Sequence, residues 1–359
     1  MKVCIVLGTR PEIIKMSSVI RECEHLGLDY FILHTGQHYS YNLDKVFFEQ
    51  LELPEAKYNL DVGSGSHAEQ TAKMLTGIEK ILMKEKPGIV LVEGDTNTVL
   101  AGALAATKLG IKVGHVEAGL RSYDRTMPEE INRVLTDHCS NYLFAPTEKA
   151  RKILLSEGIH DSQVFITGNT IVDAVYQNLS ISEDRINPLN DLELTPKEYF
   201  LVTAHRQENV DVKKRFKGII RGLELVAKEF DLPVVYPIHP RARKMMNHFG
   251  LKANGIEFIE PVDYLSFVQL ESKAKSVLTD SGGVQEETCV LKVPCVTLRD
   301  NTERPETIEV GSNILAGTNA ESIVSKTKEI LNRETNWKNP FGDGKAGKTI
   351  VEILERECK

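Results

Sequence analysis

Short apolar runs alternate with longer amphipathic segments along the whole chain, and this alternation most limits the possible folds. The strand-like runs of the first half are VCIVLG, YFILHT, GIVLVEGD, KVGHVEA, YLFAP and VFITG. A second series follows with YFLVTAHR, VVYPIHP, IEFIEP, SVLTDSGG and PCVTLRD. Between them lie helix-like segments such as AEQTAKMLTGIEKILMKEK and KRFKGIIRGLELVAKEF. Strand, helix, strand in repetition means parallel sheets covered on both faces, hence an α/β fold.

At 359 residues the chain is too long for one ordinary core. The stretch ISEDRINPLNDLELTPKEY, residues 181–199, has two prolines, many acids and no clean period, so it reads as a connection. Two α/β halves of about 170 residues each are expected. We set them at 1–172 and 173–340, with 341–359 as a C-terminal helix. That helix carries apolar residues at 350, 351, 353 and 354, and packing back on the first half is one place for it.

The balance of charge is −7, 44 basic against 51 acidic. This argues against a nucleic-acid surface, which needs a basic patch. The six cysteines, at 4, 23, 139, 289, 295 and 359, include no CxxC pair, so reduced thiols in a cytoplasmic protein are expected. The opening MKVCIVLGTRPE lacks the length and cleavage signature of a signal peptide. No apolar stretch reaches membrane-spanning length.

In parallel α/β sheets, ligands bind beyond the carboxyl ends of the strands. The first half places Gly8-Thr9-Arg10, Gly94-Asp95, Glu117 and Gly168-Asn169 there. The second half places His205-Arg206, His239, Asp280-Ser281-Gly282-Gly283 and Arg299. Any one of these is equally a polar surface loop. As a set they suggest two ligand-bearing edges facing a central cleft. LTDSGGVQEE has the glycines that let a backbone approach a phosphate, and equally fits a tight turn with Ser281 as helix N-cap. GTRPEIIK is similar, with Pro11 opening a helix; Lys15 there could simply pair with Glu12 one turn away. Neither segment is a GxxxxGK[ST] loop, and no GxGxxG follows a strand, so a nicotinamide cofactor is unsupported. His34 and His38 lack a carboxylate partner and helical context, so no metal is expected either.

HVEAGLRSYDRTMPEEINR, residues 115–133, packs four acids and three arginines behind an apolar run. Glu117 at a strand exit should be partly desolvated, which suits a general acid or base. Thr126-Met127-Pro128-Glu129 fits a capping box. Arg133 shares the helix face of Glu129, whereas Glu130 points about 100° away. His205 is a further acid/base or cation candidate. Carboxylates, a histidine and cations, with no redox group, suit proton transfer coupled to loss of a phosphate leaving group.

The blocks GTRPEIIK, EGDTNT, GHVEAGLRS, PEEINR, TGNTIVDA, TAHRQEN and LTDSGGVQEE…TERPE occur in that order. Together they closely resemble the non-hydrolysing UDP-N-acetylglucosamine 2-epimerases. The resemblance implies two Rossmann-like domains in the GT-B arrangement and a homodimer. It implies interconversion of UDP-GlcNAc and UDP-ManNAc without nicotinamide or metal, in polysaccharide biosynthesis. Motif by motif, it puts acid/base carboxylates at Asp95, Glu117 and Glu129, and a catalytic histidine at His205. It puts nucleotide and diphosphate contacts at Arg10, Lys15, Arg133, Phe267, Ser281, Gly282, Gly283, Glu287 and Arg304. A second, activating UDP-GlcNAc site in many bacterial members uses a QHR segment. Here Gln37 and His38 remain but Tyr39 replaces the arginine. The implied chemistry eliminates UDP to 2-acetamidoglucal and adds it back. A GT-B glycosyltransferase, a hydrolysing epimerase releasing ManNAc and UDP, and a non-catalytic UDP-sugar sensor are the rival readings.

Overall fold

The computed structural model describes residues 1–37 and 41–357. It divides into two units, Met1–Gln177 with Phe341–Lys359, and Asn178–Pro340.

The first unit runs β1 (Val3–Leu7), α1 (Arg10–His25), β2 (Tyr30–His34), α2 (Tyr41–Gln50), β3 (Tyr58–Asn59), α3 (His67–Glu85) and β4 (Ile89–Glu93). It continues with α4 (Asn97–Lys108), β5 (Lys112–Val116), α5 (Pro128–Cys139), β6 (Tyr142–Ala145), α6 (Glu148–Ser156), β7 (Val164–Ile166) and α7 (Thr170–Arg185). The seven strands pair in the order β3-β2-β1-β4-β5-β6-β7, all parallel. Every residue of β1 and β4 is buried. Helices on both faces require that, and it is why these strands read as unbroken apolar runs.

The second unit begins with α8 (Pro188–Asp191), β8 (Phe200–Thr203), α9 (Gln207–Val210), α10 (Lys213–Phe230), β9 (Val234–Pro237), α11 (Pro240–Phe249) and β10 (Ile256–Ile259). It ends with α12 (Tyr264–Lys273), β11 (Ser276–Thr279), α13 (Gly282–Leu291), β12 (Cys295–Thr297), α14 (Pro305–Glu309), β13 (Asn313–Leu315) and α15 (Ala320–Leu331). Its sheet order is β10-β9-β8-β11-β12-β13, again parallel. Phe200, Phe216, Leu223, Tyr236 and Leu278 lie among the buried residues of its core. The α/β class with parallel sheets is the one expected from the alternation, and the two Rossmann-like sheets are those the resemblance implies.

Three details depart from the sequence reading. The edge strands β3 and β13 are two and three residues long, too short to show as apolar runs. The stretch 181–199 is not a plain connection. Its first residues complete α7, and Pro188–Asp191 forms the short α8 with Asn187 accepting from the Asn190 N–H at its start. Trp337 closes the second unit from beyond α15, its indole N–H donating to the Cys289 carbonyl at 3.0 Å.

The last helix, α16 (Ala346–Glu357), buries Ile350, Val351, Ile353 and Leu354 within the first unit. Asp173 of α7 accepts from the Ala346 and Gly347 N–H groups at 3.1 and 2.9 Å, satisfying donors that a helix start leaves open. Gly347 sits against α1 so closely that a side-chain carbon there would lie 2.8 Å from the Ser18 backbone. Gly347→Val should therefore destabilise the protein by about 1–3 kcal/mol. Urea denaturation checks this, and an unchanged midpoint would contradict the close packing.

Candidate functional site

Each sheet changes direction of growth once, between β1 and β4 in the first unit and between β8 and β11 in the second. At such switch points the flanking connections diverge to opposite faces and leave room beyond the strand ends. Arg10 and Asp95 follow β1 and β4, and His205 and Ser281 follow β8 and β11, the strands that flank these points.

In the first unit, β4 ends at Glu93 and turns through Gly94, whose φ of +86° is one that glycine adopts without strain. Asp95 follows and pairs with Arg133 of α5. Asn132 ties the same turn to α5, donating from Nδ2 to the Asp95 carbonyl at 3.0 Å. The exit of the neighbouring β5 is more unusual. Glu117 has φ +69°, a left-handed conformation that costs a non-glycine residue about 1–2 kcal/mol. In the parallel register Glu93 lies beside Val116. A continuing strand would send the Glu117 side chain to the opposite face. The left-handed turn breaks the alternation and brings both carboxyls onto Lys15 of α1. Lys15 Nζ pairs with Glu117 and lies 3.2 Å from Glu93.

Lys15 thus bonds carboxylates from two strand exits. Glu12, considered above as its helical partner, accepts instead from the Gly8 N–H and the Thr96 hydroxyl, each at 2.6 Å. Arg10 stacks on Phe47 with its guanidinium 5.6 Å from the ring centre. His115 supports both exits, one ring nitrogen on Asp137 at 2.6 Å and the other on the Gly94 carbonyl at 2.8 Å.

The capping box is absent. Pro128 opens α5, Met127 is its N-cap, and the Thr126 hydroxyl donates to Asp124 at 2.6 Å. Glu129 therefore stands exposed in the first turn of α5 rather than folded back on the backbone. Glu130 is the buried one. It accepts from the Ser122 N–H and hydroxyl, the Tyr123 N–H and Arg133, all at 2.9 Å. Burial opposes its ionisation, but these donors hold its carboxyl below the usual range. Arg133 is thereby fixed between Glu130 and Asp95. The Gln37 amide oxygen is buried and accepts from the Thr98 N–H and hydroxyl; His38 lies outside the described residues.

In the second unit, β8 and β11 run side by side, so their exits adjoin. The buried Asp280 carboxylate accepts from the N–H groups of His205 and Arg206 at 3.0–3.1 Å and from Asn209 at 3.1 Å. It lies 3.5 Å from His205 Nδ1, in a side chain 40% exposed. The His205 ring is 5.6 Å from that of His239. Burial first, then the charges of His205 and Arg241, lowers the pKa of His239.

Beyond β11, Ser281 is the N-cap of α13 without a side-chain capping bond. A side-chain carbon at Gly282 would meet nothing nearer than Glu303 at 3.8 Å, and at Gly283 nothing nearer than Ser281 at 4.0 Å. Neither position has a positive φ. Packing and backbone conformation within the chain therefore do not demand these two glycines. Arg304 pairs with Glu286 at 2.7 Å, and the Tyr264 hydroxyl donates to Glu287 at 3.0 Å. Phe267, on α12, packs partly buried against the cluster that includes Leu270 and Val284. Glu303 takes two 2.8 Å bonds from Arg299; burial works against it, yet Arg299 brings its carboxyl down to about 2.

The sequence patterns give Glu93 no role, and present Glu12 and Glu130 only as helix neighbours of Lys15 and Glu129. Glu93 had a signal, a carboxylate closing the apolar run IVLVE, but the neighbouring Asp95 drew the attention. Among the described residues no cluster of three His, Cys, Asp or Glu side chains could hold a metal ion. Nor is any described helix long and apolar enough to cross a membrane.

The first unit thus carries acid–cation pairs beside its switch point, and the second an open Ser-Gly-Gly helix start beside its own. Residues 21–355 match the family described as UDP-N-acetylglucosamine 2-epimerase. A Methanocaldococcus jannaschii UDP-N-acetylglucosamine 2-epimerase is 58% identical over 361 residues, covering 99% of both chains. A Pseudomonas aeruginosa UDP-2,3-diacetamido-2,3-dideoxy-D-glucuronate 2-epimerase is 40% identical over 99% of this chain and 100% of its own. The crystal structure of the M. jannaschii enzyme in complex with UDP-GlcNAc and UDP superposes with a TM-score of 0.91, covering 99% of this chain and 100% of that one. The chain belongs to the UDP-N-acetylglucosamine 2-epimerase family.

The Glu12 carboxyl, 2% exposed, is pushed by burial from its ordinary 4.5 to about 7, against the lowering effect of its Thr96 and Gly8 bonds. Below 4.5 it is protonated folded and unfolded alike. Between 4.5 and 7 the unfolded chain ionises first, so this group takes stability away as pH rises, by about 3 kcal/mol in total. Glu12→Gln should therefore gain on the parent protein across that window. Urea midpoints at pH 4.5 and 7.5 test it; a difference that stays constant would contradict the shift.

Proposed function

We propose that this protein is an isomerase that interconverts UDP-N-acetylglucosamine and UDP-N-acetylmannosamine. The observation that carries the reading is the adjoining exits of β4 and β5. They present two carboxyl groups, Asp95 on Arg133 and Glu117 on Lys15, at one sheet edge. Inversion at a carbon through proton transfer needs two differently placed acid/base groups, one for each face. The likeness to epimerases across the full chain supports the same reading and supplies the substrate.

The C2 hydrogen of the sugar has no neighbouring carbonyl, so its removal alone would leave an unstabilised carbanion. Coupling it to loss of UDP solves this. A carboxylate takes the C2 proton, the C–H electrons form the C1–C2 double bond, and the C1–O electrons leave with UDP. The product pair is 2-acetamidoglucal and UDP. A second group then protonates C2 from the other face while UDP oxygen adds back to C1. We assign the proton transfers to Asp95, Glu117 and Glu129.

The second unit holds UDP in this reading. The open backbone at Gly282 and Gly283 offers N–H donors to the diphosphate at the start of α13, with the Ser281 hydroxyl beside them, while the Ser281 N–H is held by the Thr279 hydroxyl at 2.9 Å. Arg304, Arg10 and His205 stabilise the charge that the diphosphate gains on leaving. Phe267 and Glu287 contact the nucleoside. Lys15 and Arg133 contact the diphosphate in the same reading, from positions where they also pair with Glu117 and Asp95. A cytoplasmic homodimer is the expected form.

Reaction of UDP-GlcNAc in heavy water, followed by NMR, tests the reading. Deuterium should enter C2 of UDP-ManNAc, and Glu117→Gln should lower kcat by about 100-fold or more. An epimer that keeps its original C2 hydrogen, or no turnover of UDP-GlcNAc at all, would overturn it.

A further inference from the structure

Glu93 closes β4 as a carboxylic residue only 2% exposed, beside Glu117. Lys15 lies against both carboxyls, paired with Glu117 and 3.2 Å from Glu93. One cation cannot balance two buried carboxylates, and two ionised carboxylates so placed repel, so one of the pair carries a proton. Lys15 decides which. It bonds Glu117 more closely than Glu93, which is 3.2 Å away, so negative charge is better placed on Glu117.

Resting on the epimerase reading, we propose that Glu93 is a positioning residue for Glu117. It keeps the proton of the pair, donates it to Glu117, and so holds Glu117 ionised and oriented to accept the C2 proton. The groups that face Glu93 are consistent with this. Burial raises its carboxyl well above the ordinary range, Lys15 opposes the rise, and the charges of Glu117 and Glu12 add to it. Asp95, in the following turn, is turned to Arg133 of α5 instead. The left-handed Glu117 backbone fits this arrangement, because it breaks the strand alternation at the residue whose carboxyl joins Glu93 on Lys15.

The proposal separates from a merely structural role through two substitutions. Glu93→Gln retains an N–H donor for Glu117 and no charge. Glu93→Met matches the length but donates nothing. At pH 7 the Gln variant should keep kcat within about threefold of the parent, while the Met variant should lose about tenfold or more with KM within about threefold. The activity of the Gln variant should also persist to higher pH, because its residue 93 cannot ionise. Equal losses in both variants, full kcat in the Met variant, or an unmoved alkaline limb in the Gln variant would overturn the proposal. Infrared difference spectra of ligand-free protein at pH 7, parent against Glu93→Gln, add a readout that needs no turnover. The Gln variant should lack a protonated-carboxyl band that the parent shows; loss of a carboxylate band instead would contradict the proposal. Should Glu93→Met fail to fold, the spectrum and pH profile of Glu93→Gln decide alone. Failure of the epimerase reading itself would show differently, as a parent protein without exchange at C2.

Discussion

The parallel pairing of β1 with β4, and of β8 with β11, is the constraint from which the chemistry follows. A parallel strand must be followed by a crossover, so every exit in the sheet opens on the same edge. Where the order reverses, neighbouring exits are freed of crossing chain. Residues 93–95 and 117, far apart in sequence, are therefore delivered to one edge, as are 205 and 280.

Such an edge would be unstable if its charges stood alone, because unpaired buried charge is costly. Lys15 between Glu93 and Glu117, and Arg133 between Asp95 and Glu130, meet this demand within the first unit. In the second unit, backbone N–H groups serve the Asp280 carboxylate in the same way. The pairing does more than neutralise. It fixes which oxygen points where, and preorganised charge of this kind is what lowers barriers in a site shielded from water.

Most of the sheet was legible because strands buried on both faces must be apolar throughout. β1, β4 and β11 announce themselves in this way. β3 and β13 did not, since an edge pairing of two or three residues needs no apolar run. The exits Asp95, Glu117, His205 and Ser281 could be found from strand ends alone. Their partners could not. Local spacing offered Glu12 for Lys15 and Glu129 for Arg133, whereas the fold chose Glu93 and Glu117 for Lys15, and Asp95 and Glu130 for Arg133. Pairings across the sheet depend on register and on one left-handed residue, and neither is written in local periodicity. The same limit explains the missing capping box: Asp124 competed for Thr126, and Pro128 opened the helix.

The central claim is that hydrogen transfer at C2 accompanies rupture of the bond between C1 and the nucleotide oxygen. UDP-GlcNAc carrying oxygen-18 in that bridge tests it most directly. Once the bond breaks, the terminal phosphate oxygens of UDP become equivalent by rotation, and any of them can re-form the link. Recovered substrate and epimer should then show part of the label in non-bridging positions by phosphorus NMR. Epimer accumulating with all of its label still in the bridge would contradict the account.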